Sequence, residues 1–121
     1  MAKYTRKLEF SEKTRKRIKE RDHGACIFCE MGYTTEGATG MDLIPCDIMH
    51  FVPRSSLGLG IEQNGALGCR YHHNLLDNGN KGLRPDMLRR FESYLRRCYP
   101  DWDKSKLVYN KFAYLIHKRE F

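Results

Sequence analysis

The stretch Asp47-Ile48-Met49-His50-Phe51-Val52-Pro53-Arg54-Ser55, with Asn64 behind it and Cys69-Arg70-Tyr71-His72-His73-Asn74-Leu75-Leu76-Asp77 closing it, decides how this chain is read. Leu43 to Val52 has strand character, and Pro53 ends it. Ser55 to Gly60 is a glycine-containing loop, and Asn64 to Leu67 reads as a short turn. His73 to Asp77 begins a short helix that breaks at Asn78-Gly79. The side chains able to do chemistry concentrate between Asp47 and Asp77.

Cys69-Arg70-Tyr71-His72 has a counterpart upstream. Cys26-Ile27-Phe28-Cys29 repeats the two-residue gap, which lets both side chains of each pair reach one tetrahedral Zn2+. The four residues make a Cys3His zinc site. Five cysteines, an odd count with no secretory signal, argue against a disulfide framework, and Cys26-Ile-Phe-Cys29 lacks the strand before and helix after that a thioredoxin motif has. The bland alternative is a set of buried apolar thiols with an incidental His. Cys46 and His23 stand as substitutes for His72, while Cys98, in a helical apolar stripe, reads as core.

Working outward, Ser11 suits an N-cap, Glu12 to Arg21 are good helix formers, and Asp22-His23-Gly24 supply a stop. This basic helix, 11–22, has Ile18 as its only strong apolar residue. Its Lys and Arg cover too much of the circumference to form one stripe, so a solvated helix and a DNA-facing one both stand. Gly32 to Gly40 reads as an exposed loop or hairpin insertion. Arg84-Pro85-Asp86 opens the clearest helix, with Met87, Leu88, Phe91, Leu95 and Cys98 at helical spacing before Pro100. Trp102 reads as a packing anchor, and Leu107 to Ile116 as strand or helix.

At 121 residues the chain has the size of one domain, 1–121: a basic helix, a core over 23–80 and a helical extension over 84–121. With 31% charged residues and a mean hydropathy of -0.67, it offers no membrane-spanning stretch, and its basic start lacks a signal peptide's apolar region. A cytoplasmic protein is expected. The net charge of +7 favours a polyanionic partner, and its distribution sharpens that expectation. Residues 1–22 carry nine basic and four acidic side chains, residues 30–80 two and six, and residues 81–121 eleven and five. Basic ends flank an acidic middle, as in a protein that grips phosphates around a cation, though solvated helices would leave the same pattern.

The order and spacing of His50 in its x-His-[IF]-Val-Pro-x-Ser context, Asn64, and His73, interleaved with the zinc knuckle, resemble the HNH endonucleases. The resemblance runs from about Glu20 to Asn78, and the tail after Met87 looks like the extension of phage and prophage members. It implies an α+β fold, a small ββα-metal domain with a structural zinc knuckle and flanking helices. It also implies a DNA endonuclease in a bacterial or phage-infected cell, acting on duplex DNA and using one catalytic divalent cation: Mg2+, Mn2+ or Ni2+.

Phosphodiester hydrolysis needs a base for the attacking water and stabilisation of charge on the phosphoryl and leaving oxygens. The resemblance assigns the first task to His50 and makes His73 a ligand of the cation. Asp77 lies four residues beyond His73, so on a helix the two side chains share a face. Asn64 is expected to hold the loop and orient His50. Arg54 and Arg70, the only basic residues of the acidic stretch, are expected at the scissile phosphate or in surface ion pairs.

Met49 departs from the family pattern. The position before the base normally carries a His or Asp that binds the cation, and a thioether is a poor ligand for a hard ion. Three outcomes stand: His73 and Asp77 suffice with waters and DNA oxygens, Asp47 on the same strand face supplies the missing carboxylate, or cleavage is lost and a zinc-stabilised DNA-binding module remains. A zinc-stabilised protein-interaction domain is the blandest reading.

Overall fold

The computed structural model describes residues 6–40, 45–78 and 81–110. Helix α1, Glu12–Arg21, is capped by Ser11, whose hydroxyl accepts from the Thr14 N–H at 3.1 Å. It ends where His23 and Gly24 take positive φ angles of 57° and 70°. Ile18, its one buried residue, packs with Phe10 and Leu67 in a small satellite core. A single turn, α2, spans Ile27–Glu30, so it lies over the first cysteine pair itself, and the Cys26 sulfur caps it. The loop after it, up to residue 40, is mostly exposed, as expected.

Strand β1, Cys46–His50, pairs antiparallel with β2, Gly65–Cys69; Cys46 faces Cys69 and His50 faces Gly65. The turn expected at Asn64 to Leu67 is therefore a strand from Gly65 onward. Gly-Ala-Leu-Gly-Cys has weak β propensity, which hides the strand in the sequence. Small residues are needed there because the strand is wholly buried: a Cβ on Gly68 would lie 2.2 Å from the Met49 sulfur.

Helix α3, Arg70–Asn78, follows β2 without a gap, and α4, Arg84–Cys98, follows with Pro85 in its first turn. Met87, Phe91 and Leu95 of α4 enter the main core with Phe28, Met49, Phe51, Leu76, Trp102 and Leu107. Cys98 is a correction: it sits half-buried at the last residue of α4, one turn beyond the last buried position, Leu95. Trp102 is the anchor it was read as, buried and donating its indole N–H to the Gln63 carbonyl at 2.8 Å. Leu107 ends a 3-10 turn and Val108 bridges to Gly58; the rest of the segment read as strand or helix, from 111, lies outside the described residues, as do 41–44 at the start of the expected strand. The fold is thus a small mixed one, helices around a two-stranded antiparallel sheet. Among the described residues no helix is long and apolar enough to cross a membrane.

The free edge of β2 is covered by side chains in place of a third strand. Asp22 Oδ2 accepts from the Leu67 N–H at 2.9 Å, and Arg21 Nη2 donates to the Gly65 carbonyl at 2.7 Å. Arg21 and Asp22 also hold each other through two hydrogen bonds, of 2.7 and 3.0 Å, and Tyr94 donates its hydroxyl to Asp22. Arg21 thus leaves the group of solvated basic residues on α1.

Candidate functional site

The α1–α2 junction and the β2–α3 junction meet at Cys26, Cys29, Cys69 and His72, whose ligand atoms all lie within 4.8 Å of one another. His72 Nδ1 stands 3.5 Å from the sulfurs of Cys26 and Cys29 and 3.2 Å from that of Cys69, and the Cys29 and Cys69 sulfurs are 3.9 Å apart. A tetrahedral zinc with Zn–S of about 2.3 Å and Zn–N of about 2.0 Å has edges of roughly 3.5 and 3.8 Å. The four residues fit that ion. His72 Nε2 lies 2.8 Å from the Thr34 carbonyl, which can only accept, so Nε2 carries the proton and Nδ1 presents its lone pair to the thiols. Burial would raise the Cys26 thiol, but its hydrogen bonds with His72 and with the backbone of Cys69 and Cys29 outweigh this and bring it to about 7. Burial and the neighbouring Cys26 push Cys29 the other way, so a cation would be needed to hold all three as thiolates. Of the substitutes, Cys46 lies beside the cluster as the cross-strand neighbour of Cys69, and His23 is exposed at the end of α1; neither belongs to it.

A second centre opens as a cleft of about 950 Å3, lined by Ile48, His50, Arg54, His73 and Asp77 from the middle of the chain. Glu9, Glu12 and Arg15 line it from the N-terminal side and Arg84 from the start of α4. His50, at the end of β1, places Nε2 2.9 Å from the Leu8 carbonyl. That oxygen fixes the proton on Nε2 and leaves the Nδ1 lone pair free. No buried polar side-chain atom lacks a hydrogen-bond partner among the described residues, so Nδ1, with none there, reaches solvent in the cleft. Burial holds His50 below its usual 6.5; the Leu8 carbonyl opposes this and the Arg54 charge adds to it. At pH 7 the ring is a neutral base.

His73 and Asp77 come together as their spacing on α3 requires, with Nε2 2.9 Å from Asp77 Oδ2. Asp47 approaches the opposite ring nitrogen, its Oδ2 3.8 Å from Nδ1. This separation is that of a hydrogen bond, and it equals the roughly 3 Å between two cis donors sharing one point at about 2.1 Å. Asp47 does not converge on that point. No family model, curated protein or solved structure matches this chain.

Met49 and Asp47 part company despite their shared parity. Met49 is fully buried over Gly68 in the main core, while the Asp47 side chain, paired across the sheet with Gly68, is 70% exposed. Asn64 is also fully buried and spans the loop between the strands. Its Oδ1 accepts from the Val52 N–H, and its amide donates to the carbonyls of Val52 and Leu59. It holds the backbone that follows His50, as expected, and lies outside the cleft lining.

Of the two arginines expected at phosphate, Arg54 lines the cleft and pairs with Glu9 at 3.5 Å, while Arg70 is exposed and lines no part of it. Arg70 opens α3 three residues before His73, so helical spacing alone does not account for its place outside the cleft. Arg15 and Arg84 are the cleft arginines that sequence reasoning missed. Arg84 Nη1 donates to the Leu76 carbonyl at 2.6 Å, which places its charge beside Asp77 at the end of α3. Helical spacing alone carries no signal for this, because the contact joins two separate helices.

Proposed function

We propose that this chain is a metal-dependent DNA endonuclease of the HNH type, its strand-loop-strand-helix segment forming a ββα-metal centre. In this reading His50 activates water for hydrolysis of a phosphodiester bond in duplex DNA. The observation that carries it is the state of His50: Nε2 is tied to a carbonyl, Nδ1 is open to the cleft, and the ring is held neutral opposite His73 and Asp77. A general base needs these features together.

In the proposed reaction His50 Nδ1 takes the proton of the attacking water. His73 and Asp77 would hold Mg2+, Mn2+ or Ni2+, which when bound supplies charge stabilisation at the phosphoryl and leaving oxygens. Asn64 keeps the loop behind His50 rigid, and Arg15, Arg54 and Arg84 offer cationic groups to the DNA backbone. The Lys and Arg of α1 and α4 would add salt-sensitive, sequence-independent affinity. The Cys3His site would be a structural zinc that ties the sheet to α1 and α2.

A second reading, a DNA-binding module of the same fold without cleavage, is favoured by two observations. The position before His50 is filled by a core methionine, and Asp47 does not converge with His73 and Asp77. Supercoiled plasmid with Mg2+, Mn2+ or Ni2+ separates the two. The parent is expected to nick it, and His50→Ala to lose on the order of 10²- to 10⁴-fold in rate. No nicking by the parent, or equal nicking by both, overturns the enzyme reading; plasmid retention at low salt without nicking leaves the binding module.

A further inference from the structure

We infer that the segment Arg6 to Phe10, seated on Gly60, is a positioning element that sets the tautomer and orientation of His50. The inference rests on the reading of His50 as the base and names what keeps it competent. Leu8 and Phe10 are both buried, 5% and 6% exposed, and between them they define the surroundings of the imidazole. The Leu8 carbonyl receives the Nε2 proton at 2.9 Å, and the Phe10 ring lies tilted against the imidazole with centroids 4.3 Å apart. None of these residues belongs to the stretch that carries the resemblance.

The segment keeps its place through Gly60. The Gly60 N–H donates to the Lys7 carbonyl at 2.8 Å. A Cβ at Gly60 would stand 2.1 Å from the Glu9 carbonyl oxygen, 2.2 Å from its carbon and 2.7 Å from the Phe10 nitrogen. These are backbone atoms, which cannot rotate aside as a flexible side chain would. Any residue other than glycine at 60 must lift the chain on either side of Leu8, and with it the acceptor of the His50 proton. On the far side, Arg15 Nε donates to the Phe10 carbonyl at 3.2 Å, so the segment is anchored at both ends.

Without the carbonyl, Nδ1–H and Nε2–H forms of a neutral imidazole would interchange, and only the Nε2–H form leaves Nδ1 able to accept a proton from the cleft. Loss of the segment would also expose the ring. Burial is the largest influence on its titration, so the midpoint would rise toward that of an ordinary His. Both changes reduce the fraction of competent base near pH 6 to 7 without altering His73, Asp77 or the zinc ligands.

The test uses ¹³C,¹⁵N-labelled, zinc-loaded protein of residues 1–121. The parent is expected to show His50 as the Nε2–H tautomer, with a through-hydrogen-bond coupling from Nε2 to the Leu8 carbonyl carbon. Gly60→Ala is expected to keep its zinc, show mixed His50 tautomers and a raised midpoint, and lose on the order of 10²-fold in kcat with KM changed by about twofold or less. Gly40→Ala, where a Cβ meets nothing within 4 Å, should match the parent. A mixed or Nδ1–H tautomer in the parent overturns the proposal, even if Gly60→Ala does not fold. So does a folded Gly60→Ala with the parental tautomer and midpoint. A parent that does not nick DNA overturns the nuclease reading alone, since the ring spectra still decide the positioning.

Discussion

Asn64 grips Val52 with both ends of its amide: Oδ1 accepts from the Val52 N–H at 2.8 Å, and Nδ2 donates to the Val52 carbonyl at 3.2 Å. A third bond, from Nδ2 to the Leu59 carbonyl at 2.8 Å, closes the long loop between the strands on itself. Asn64→Ala would leave these three backbone groups without partners in a buried place. A loss of about 3 kcal/mol or more is expected in urea unfolding of the zinc-loaded protein. A loss below about 1 kcal/mol would mean that other contacts hold the loop.

Rates should depend on the neutral form of His50. Its midpoint in the folded protein lies below the 6.5 of an ordinary His, because burial disfavours the imidazolium. Nicking should rise with pH through that depressed midpoint and level off at a lower pH than it would with an ordinary His. The linkage runs the same way for stability. Between the two midpoints the unfolded chain binds more protons, so the His50 contribution is fully present above 6.5 and is lost as pH falls through the folded midpoint. The difference in stability between the parent and His50→Gln, followed from pH 8 to pH 5, measures it.

Placing at position 49 the His that the HNH pattern carries there should fail. Met49 is fully buried above Gly68, so Met49→His would place an imidazole in the core, and a loss of about 2 kcal/mol or more in stability is expected with no gain in nicking. Met49→Leu should cost less than about 1.5 kcal/mol. Faster cleavage by Met49→His would show that the strand can turn this side chain toward the cleft.

The Arg21–Asp22 pair should be a hot point of stability. Asp22→Ala would leave the Arg21 charge without its carboxylate, though still bonded to the Gly65 and Glu62 carbonyls, and the Leu67 N–H unpaired at the edge of β2, with an expected loss of about 3 kcal/mol. Tyr94, whose hydroxyl is pushed well above its usual range by burial and by Asp22, stays a donor, and Tyr94→Phe should cost about 1 to 2 kcal/mol. Thermal unfolding of both variants at one zinc concentration checks the order.

Removing zinc should loosen the sheet before α4. Cys69 and His72 sit at the β2–α3 junction, whereas Met87, Phe91 and Leu95 of α4 are held by apolar packing. After chelation, amide exchange is expected to speed first in β1 and β2. Lowering the pH should release zinc by protonating the thiolates, so metal retention and pH are linked with the same sign. Exchange that quickens in α4 first would place the stabilising centre elsewhere.

Much of the site was legible because it is local. His73 and Asp77 meet through helical spacing alone, Cys26 with Cys29 and Cys69 with His72 through a two-residue gap, and Ser11 caps its helix within four residues. Strand β2 was not legible. Its glycines and alanine are set by what lies above them, the Met49 side chain at Gly68 in particular, and a sequence does not state its own cross-strand neighbours. The acidic middle also misled in part: Glu9 and Glu12 come to the cleft from the basic N-terminal end, and Arg84 comes from the other.

From spacing along single elements alone came the two halves of the Cys3His cluster, the short-range pairs and the amphipathic stripe of α4. Only the tertiary structure decided that Leu8 holds the His50 proton, that Met49 belongs to the core while Asp47 stays at the surface, and that Arg21 and Asp22 close the edge of β2. These contacts join residues about 40 positions or more apart, or depend on which side of a strand is covered. Burial and chain crossing settle such questions, and neither has a period that can be read along the chain.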